Sequence, residues 1–348
     1  QSLPLPVSGS VLSEIQKAPG ELPMINVIRC LISMEILSFF FCWANLPASP
    51  RFIIDAHSHA PKTQKNVDIV ARVYREQNAM RCVFTRMEQF ELMKKAIADY
   101  PDVFIGYGHI DPDDPDAVRE IEKFYQAGFV GMKFHFPQKN WDDPKYWQLY
   151  RMCEHLGLLM VFHTGICDRE ITDTPSFASS MHTRPGYLDL IARAFPRAVI
   201  QGAHFGDPWY EEAAEVCRFN PNVYFDVTWA TLPKLIKLND LARFKKILWW
   251  SMPEGQQSPF TKKGSPHAFE HIVFGTDAWG LPKLMEQFQM FLEANDVPES
   301  IREKMWGLTM ARILDIDPET RRFRHPRPLP PGSRYLFAPS KFSSEEGK

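Results

Sequence analysis

The chain has 348 residues, 40 of them Lys or Arg and 42 Asp or Glu, for a formal net charge of −2. That balance argues against a general nucleic-acid binder, whose surface is basic. At 45% hydrophobic and 24% charged residues the chain can bury a large core, which excludes a disordered polymer.

In chain order the first feature is an apolar segment. Residues 24–44 hold Arg29, an apolar run and a closing Ala44, the layout of a secretory leader. Glu35 within the run, and the position of the run inside the chain, favour a packed N-terminal helix instead. A cytoplasmic protein is expected on that basis, with export left open by the segment. No run is long enough to span a bilayer, so no membrane partner is expected. The six cysteines include no C-x-x-C pair and read as free thiols.

From residue 52 a strand-then-helix rhythm begins. Apolar runs recur at 52–57, 80–85, 103–109, 130–136, 158–163, 198–204, 223–227 and 272–277, as expected of strands buried on both faces. Asp114-Pro115 and Asp143-Pro144 each read as a cap followed by Pro at the first helical position, and Gly157 as the end of the second helix. Helical spacing also covers 67–76, 87–100, 186–195, 210–219, 232–247 and 281–294. Eight such units predict a (β/α)8 TIM barrel over 52–316. An open doubly wound sheet is the alternative, but Asp-Ala-His-Ser-His-Ala follows Ile54 where that fold would need a glycine-rich phosphate loop. Residues 1–51 form an N-terminal extension. Residues 317–348 form a Pro- and Arg-rich tail (Arg321, Arg322, Arg324, Arg327, Arg334) expected to drape the surface. The long connection after strand seven carries Trp249, Trp250 and a loop at 253–266.

Six of the eleven histidines close predicted strands: His57 and His59 on the first, His109 on the third, His135 on the fourth, His163 on the fifth and His204 on the sixth. Barrel enzymes build their sites at that end. Six imidazoles there are hard to explain as core filler, because each buried ring needs a partner. Period-two alternation places His57 and His59 on one face together with Ile53, and Lys133 on one face with His135. With those faces turned inward, His57, His59 and His163 converge, and Asp277 at the end of strand eight adds a carboxylate. Three imidazoles and a carboxylate suit Zn²⁺ or a similar borderline divalent ion.

Lys133 admits three readings: a carbamylated bridge between two metals, an ammonium for a substrate carboxylate, or a structural ion pair. Four donors already satisfy a single metal, which favours the second and third. Arg86 and Arg184 follow strands two and five as candidate carboxylate binders, with a structural ion pair as the alternative for each. Trp141, Trp209 and Trp279 follow strands four, six and eight, and either wall a pocket for a planar substrate or pack at the rim.

Five motifs then occur in one order: Ile-Ile-Asp-Ala-His-Ser-His (53–59), Gly-Met-Lys-Phe-His (131–135), Val-Phe-His-Thr-Gly (161–165), Gly-Ala-His-Phe-Gly (202–206) and Phe-Gly-Thr-Asp (274–277). As a set they resemble the amidohydrolase-related family, also called amidohydrolase family 2, over about residues 52–316. The resemblance implies a metal-dependent TIM-barrel enzyme. It also implies that His57, His59, His163 and Asp277 bind the metal and that His204 is a catalytic or substrate-polarising histidine. The sequence departs from the family at Gly307–Ala311, where Met310 stands in place of a common Asn.

The function expected is hydrolysis of a small carboxylated lactone, ester or amide. Asp277 would relay the proton of an activated water and His204 would polarise the carbonyl, with Lys133, His135, Arg86, Arg184 and Trp279 as candidate substrate contacts. The first alternative is non-oxidative decarboxylation of an aromatic or unsaturated acid. The family's decarboxylases often carry an insertion soon after the His-x-His strand, whereas here a helical pattern begins within about ten residues of His59. The second alternative is an inactive, metal-free binding protein, which the intact donor set opposes. A homodimer is compatible with the sequence.

Overall fold

The computed structural model describes residues 51–168, 177–228, 231–250, 267–277 and 281–333. The apolar segment at 24–44, the loop at 253–266, Trp279 and Arg334 lie outside the described residues. Eight parallel strands follow one another in sequence order around a ring: β1 (Ile53–His59), β2 (Ala79–Thr85), β3 (Phe104–Ile110), β4 (Gly131–Phe134), β5 (Leu159–Phe162), β6 (Ile200–Gly202), β7 (Val223–Asp226) and β8 (Ile272–Val273). Between β8 and β1 the ring is joined by single backbone bonds. The Ala56 N–H donates to the Phe274 carbonyl at 2.8 Å, and the Thr276 and Asp277 N–H groups donate to the His57 carbonyl at 3.1 and 2.7 Å. The result is a nearly closed (β/α)8 TIM barrel.

Ile54, Met80, Cys82, Phe84, Tyr107, Val161 and Tyr224 fill the interior above a floor of Met310, Ile313 and Leu314. Ile53, Val83, Phe104, Met132, Phe162 and Phe225 face outward into the helix layer. Among the described residues the α-helices are α1 (Gln64–Glu76), α2 (Phe90–Asp99), α3 (Ala117–Gln126), α4 (Trp147–Leu156), α5 (Tyr187–Ala194), α6 (Tyr210–Phe219), α7 (Thr231–Lys237), α8 (Arg243–Ile247), α9 (Leu281–Ala294), α10 (Glu299–Glu303) and α11 (Thr309–Leu314). Among the described residues, no helix is long and apolar enough to cross a membrane. The described cysteines, Cys82, Cys153, Cys167 and Cys217, are free.

Local chemistry sets the helix boundaries. Asp143 accepts from the Lys145 N–H at 2.9 Å and caps a 3₁₀ turn that leads into α4, which Gly157 ends at φ 71°. Asp114 instead accepts from the Asp116 N–H in a turn, so α3 starts later than Asp114-Pro115 predicts. The single helix predicted over 232–247 is two, with the left-handed Asn239 (φ 54°) in the break.

Two findings correct the strand geometry. First, Ile53 does not share a face with His57 and His59. Asp55 pairs with Arg81 while Ser58 pairs with Val83, so three steps on β1 oppose two on β2. This β-bulge switches the alternation. Ile53 packs outward, whereas His57 turns inward to lie 4.8 Å from the ring of Phe84. Second, β6 and β8 end early. His204 and Asp277 therefore reach the mouth from turns, at φ 59° and 53°, and not from strands.

Beyond the last helix, Ile316–Asp317 pairs antiparallel with Arg322–Phe323. Arg327 donates to the Leu314 carbonyl at 2.7 Å and the Gly332 N–H to that of His155 at 2.8 Å, which ties this stretch to the barrel. Arg75 grips Asp102 through two 2.6 Å bonds, with Arg321 and Arg322 at 3.6 and 3.7 Å.

Candidate metal centre

The six strand-end histidines form a closed circuit at the mouth of the barrel. Ring centroids are 6.1 Å apart for His57 and His59, 6.3 Å for His59 and His109, and 5.7 Å for His109 and His135. The circuit continues at 4.3 Å from His135 to His163, 5.0 Å from His163 to His204, and 5.1 Å from His204 back to His57.

Carboxylates stand on one arc of this circuit. Asp226, fully buried at the end of β7, accepts from His57 Nδ1 at 2.9 Å, Gln201 Nε2 at 2.8 Å and the His204 N–H at 2.8 Å. An ionised carboxylate only accepts, so the His57 proton sits on Nδ1 and its Nε2 offers a lone pair. That Nε2 lies 3.1 Å from Asp277 Oδ1, and His59 Nε2 lies 2.9 Å from the same oxygen. His59 can meet that oxygen as an ordinary N–H donor, but the His57 lone pair facing it repels unless a cation lies between them.

In the metal-free protein that cation is a proton. Burial lowers the pKa of His57, but the charges of Asp226 and Asp277 outweigh it and push it up to about 9. Burial would raise both carboxyls, yet the facing histidines hold Asp226 and Asp277 well below the usual carboxylate range. A divalent ion fits the same place. Among the described residues, His57, His59 and Asp277 form the group whose donor atoms all lie within 4.8 Å of one another. Tetrahedral neighbours on a zinc ion are about 3.3–3.5 Å apart, so the two short spacings need open by only tenths of an ångström. Gly275 makes room behind the group: a Cβ there would lie 2.9 Å from His57 Cβ and from Thr228 Cγ2.

His163 stands beside this group and is not part of it. Its Nε2 must donate to the Ile166 carbonyl (3.2 Å), which leaves Nδ1 as its lone-pair atom. His204 sits between Thr228 Oγ1, 2.5 Å from its Nδ1, and Asp277 Oδ2, 3.8 Å from its Nε2. Burial, then the charge of His57, lowers its pKa to about 4, so the ring is neutral at pH 7. Left-handed backbone at His204, Phe205 and Asp277 is costly for non-glycine residues. The bonds from the His204 N–H to Asp226 and from Thr231 Oγ1 to the His204 carbonyl (2.7 Å) hold the first of these.

Among the described residues, no carboxylate pairs with the histidines of the other arc. Burial drives the pKa values of His109, His135 and His163 well below the ordinary one, and Nδ1 of both His109 and His135 is buried without a hydrogen-bond partner among the described residues. Phe136, left-handed at φ 53°, stacks on His135 at 3.8 Å. Lys133 is buried with its Nζ unpartnered among the described residues, 5.1 Å from the centroid of Phe84. Burial lowers its pKa to about 8 against the opposing pull of Asp226 and Asp277. Beside this arc opens a cavity of about 250 Å³, lined by His109, His135 and Phe136 and, among charged groups, by Arg86, Glu88, Asp111, Asp114 and Glu120.

The remaining predicted residues lie elsewhere. Arg184 donates twice to Glu212, at 3.1 and 2.7 Å, and lies over the ring of Trp209. Trp141 is buried in the helix layer and its indole N–H supports the His163 carbonyl at 2.8 Å. Asp226 carries no motif signal in the sequence. The available clue is a lone carboxylate closing a predicted strand at the histidine end of the barrel.

The amidohydrolase family model matches residues 50–316, and the chain belongs to that family. No curated protein matches it. Among solved structures, an uncharacterised TIM-barrel protein from Bordetella bronchiseptica is similar at 19% identity and a TM-score of 0.53, over 75% of this chain and 98% of that one. A structure described as amidohydrolase II is similar at 14% identity and a TM-score of 0.46, over 73% and 96%. A Burkholderia ambifaria amidohydrolase with bound zinc is similar at 11% identity and a TM-score of 0.40, over 74% and 84%.

Proposed function

We propose that the protein is a metal-dependent hydrolase acting on a small carboxylated lactone, ester or amide. The observation that carries this reading is Asp277 Oδ1 standing 2.9 and 3.1 Å from two imidazole nitrogens, one of which Asp226 holds as a lone-pair donor. His57, His59 and Asp277 would hold the ion, with His163 Nδ1 as a further donor. Zinc is the first choice for imidazole and carboxylate together. The ion supplies Lewis acidity and lowers the pKa of water toward ~7.

The chain's own groups supply the rest. Asp277 Oδ2, turned toward His204, takes a proton from water and passes it to the leaving group. With the Thr228 hydroxyl donating to its Nδ1, neutral His204 carries a proton on Nε2 and donates it as a hydrogen bond to the developing oxyanion. Lys133 binds the substrate carboxylate, since a buried ammonium without a partner is costly until an anion arrives. Arg86 and His135 are the candidate substrate contacts in the neighbouring cavity, which they line together with Glu88, Asp111, Asp114 and Glu120. The connection after β1 is short, with α1 already under way at Gln64, which favours hydrolysis over decarboxylation.

The test is to load metal-free protein with Zn²⁺ and incubate it with carboxylated lactones and with aromatic acids. Acid release without CO₂ is expected. Stoichiometric CO₂ would establish a decarboxylase, and failure to take up metal or turn over any substrate would leave a binding protein.

A further inference from the structure

Asp55 belongs to none of the donor sets above, yet its carboxylate is fully buried at the bulge that turns His57 inward. Both oxygens are engaged. Oδ1 accepts from the His57 N–H at 3.1 Å and the Thr276 N–H at 2.9 Å. Oδ2 accepts from Tyr74 Oη at 2.6 Å and Thr276 Oγ1 at 2.7 Å. One side chain thus joins the backbone of a β1 histidine, helix α1, and the residue next to Asp277.

The other side of the bulge is clamped as well. Arg81 donates to Ser58 Oγ at 2.8 Å and to the His59 carbonyl at 3.1 Å, while its guanidinium lies 4.8 Å from the centroid of the Tyr74 ring. Bulges disrupt their ladder locally, so this one needs outside support to keep a single geometry. A buried carboxylate is an expensive support unless all its acceptor positions are used, as they are here.

We propose that Asp55 is a positioning residue for the metal group, fixing the separation between the β1 histidines and Asp277 through its four hydrogen bonds. This rests on the metal reading of the site. Geometry, not charge, is the working element. An asparagine can keep its carbonyl on the two backbone N–H groups and donate its amide to the two hydroxyls, whereas an alanine restores none of the four bonds.

The test is Co²⁺ binding to the full chain, read as a dissociation constant and as the visible d–d absorption, which reports coordination geometry. Asp55→Ala is expected to weaken Co²⁺ by about 10–100-fold, the range for groups that orient ligands, and to change the absorption. Asp55→Asn should stay within about threefold of wild type with an unchanged spectrum, on the same scale. Should Asp55→Ala not fold, Thr276→Val removes one hydroxyl from the same carboxylate and should weaken binding measurably with a shifted spectrum. Wild-type affinity and absorption in folded Asp55→Ala, or in Thr276→Val where that stands in, would overturn the proposal. So would Asp55→Asn losing as much as Asp55→Ala. Failure of the wild type to bind Co²⁺ would instead remove the metal reading itself.

Discussion

The histidine circuit has two arcs built from the same side chain at the same end of one barrel, and they differ in a single ingredient. His57 and His59 meet Asp277, and His57 is backed by Asp226. Among the described residues, His109 and His135 pair with no carboxylate, and their Nδ1 atoms are buried and unpartnered. Burial alone makes an imidazole a neutral, weakly basic ring. A fixed carboxylate makes it a donor with a chosen tautomer. The first arc is therefore equipped to hold a cation, whereas the second carries the buried Lys133 and adjoins a cavity whose lining mixes Arg86 with Glu88, Asp111, Asp114 and Glu120.

The largest expected effects break the first arc. His57→Ala should leave the protein without stoichiometric metal in elemental analysis. Asp277→Asn should lower kcat by about 10²–10⁴-fold through loss of the proton relay. Retained metal and full turnover in both would end the distinction between the arcs. Asp226→Asn comes next. It frees the His57 tautomer and should weaken Zn²⁺ in a competition titration by about 10–100-fold. His109→Ala, on the second arc, should keep its metal in the same titration.

Lys133→Met probes the second arc with opposite signs in two measurements. KM for carboxylated substrates should rise, while the metal-free protein gains about 1–3 kcal/mol of stability by losing an unpaired buried charge. The pH dependence follows from the fall of its pKa from 10.5 to about 8. Between those values the unfolded chain binds more protons than the folded one, so the lysine's penalty is full below pH 8 and fades as the pH rises to 10.5. In urea melts the gap between Lys133→Met and wild type should close across that window. The smallest effect is expected at Arg184→Ala, which loses a half-exposed pair with Glu212 and should cost no more than about 1 kcal/mol with KM unchanged. A raised KM there would bring Arg184 into the substrate pocket.

The positions of the histidines were legible because β-branched apolar runs mark the strands and five of the eight runs end at or beside a histidine. Helices with local signals were legible too: α6 and α9 lie where the spacing puts them, and Gly157 ends α4. What escaped depends on partners distant in sequence. The bulge is defined by the β1–β2 register, which period two along β1 alone cannot reveal. Asp226 matters because it faces a ring 169 residues away. Arg184 looks like any arginine after a strand until Glu212 is seen to hold it. The break at Asn239 has a weak local signal, since asparagine tolerates left-handed backbone, but the apolar spacing runs through it without interruption.

The joint between β8 and β1 has a consequence for how the barrel breathes. Elsewhere neighbouring strands pair in ladders, broken locally at the β1–β2 bulge, but here single bonds from Ala56, Thr276 and Asp277 do the fastening, and β8 contributes only two residues. His57 and His59 stand on one side of that seam and Asp277 on the other. An ion gripped by all three would be a clasp across the ring's weakest stitch. Its removal should speed amide hydrogen exchange at Ala56, Thr276 and Asp277 and leave the amides of the β2–β3 ladder as slow as before.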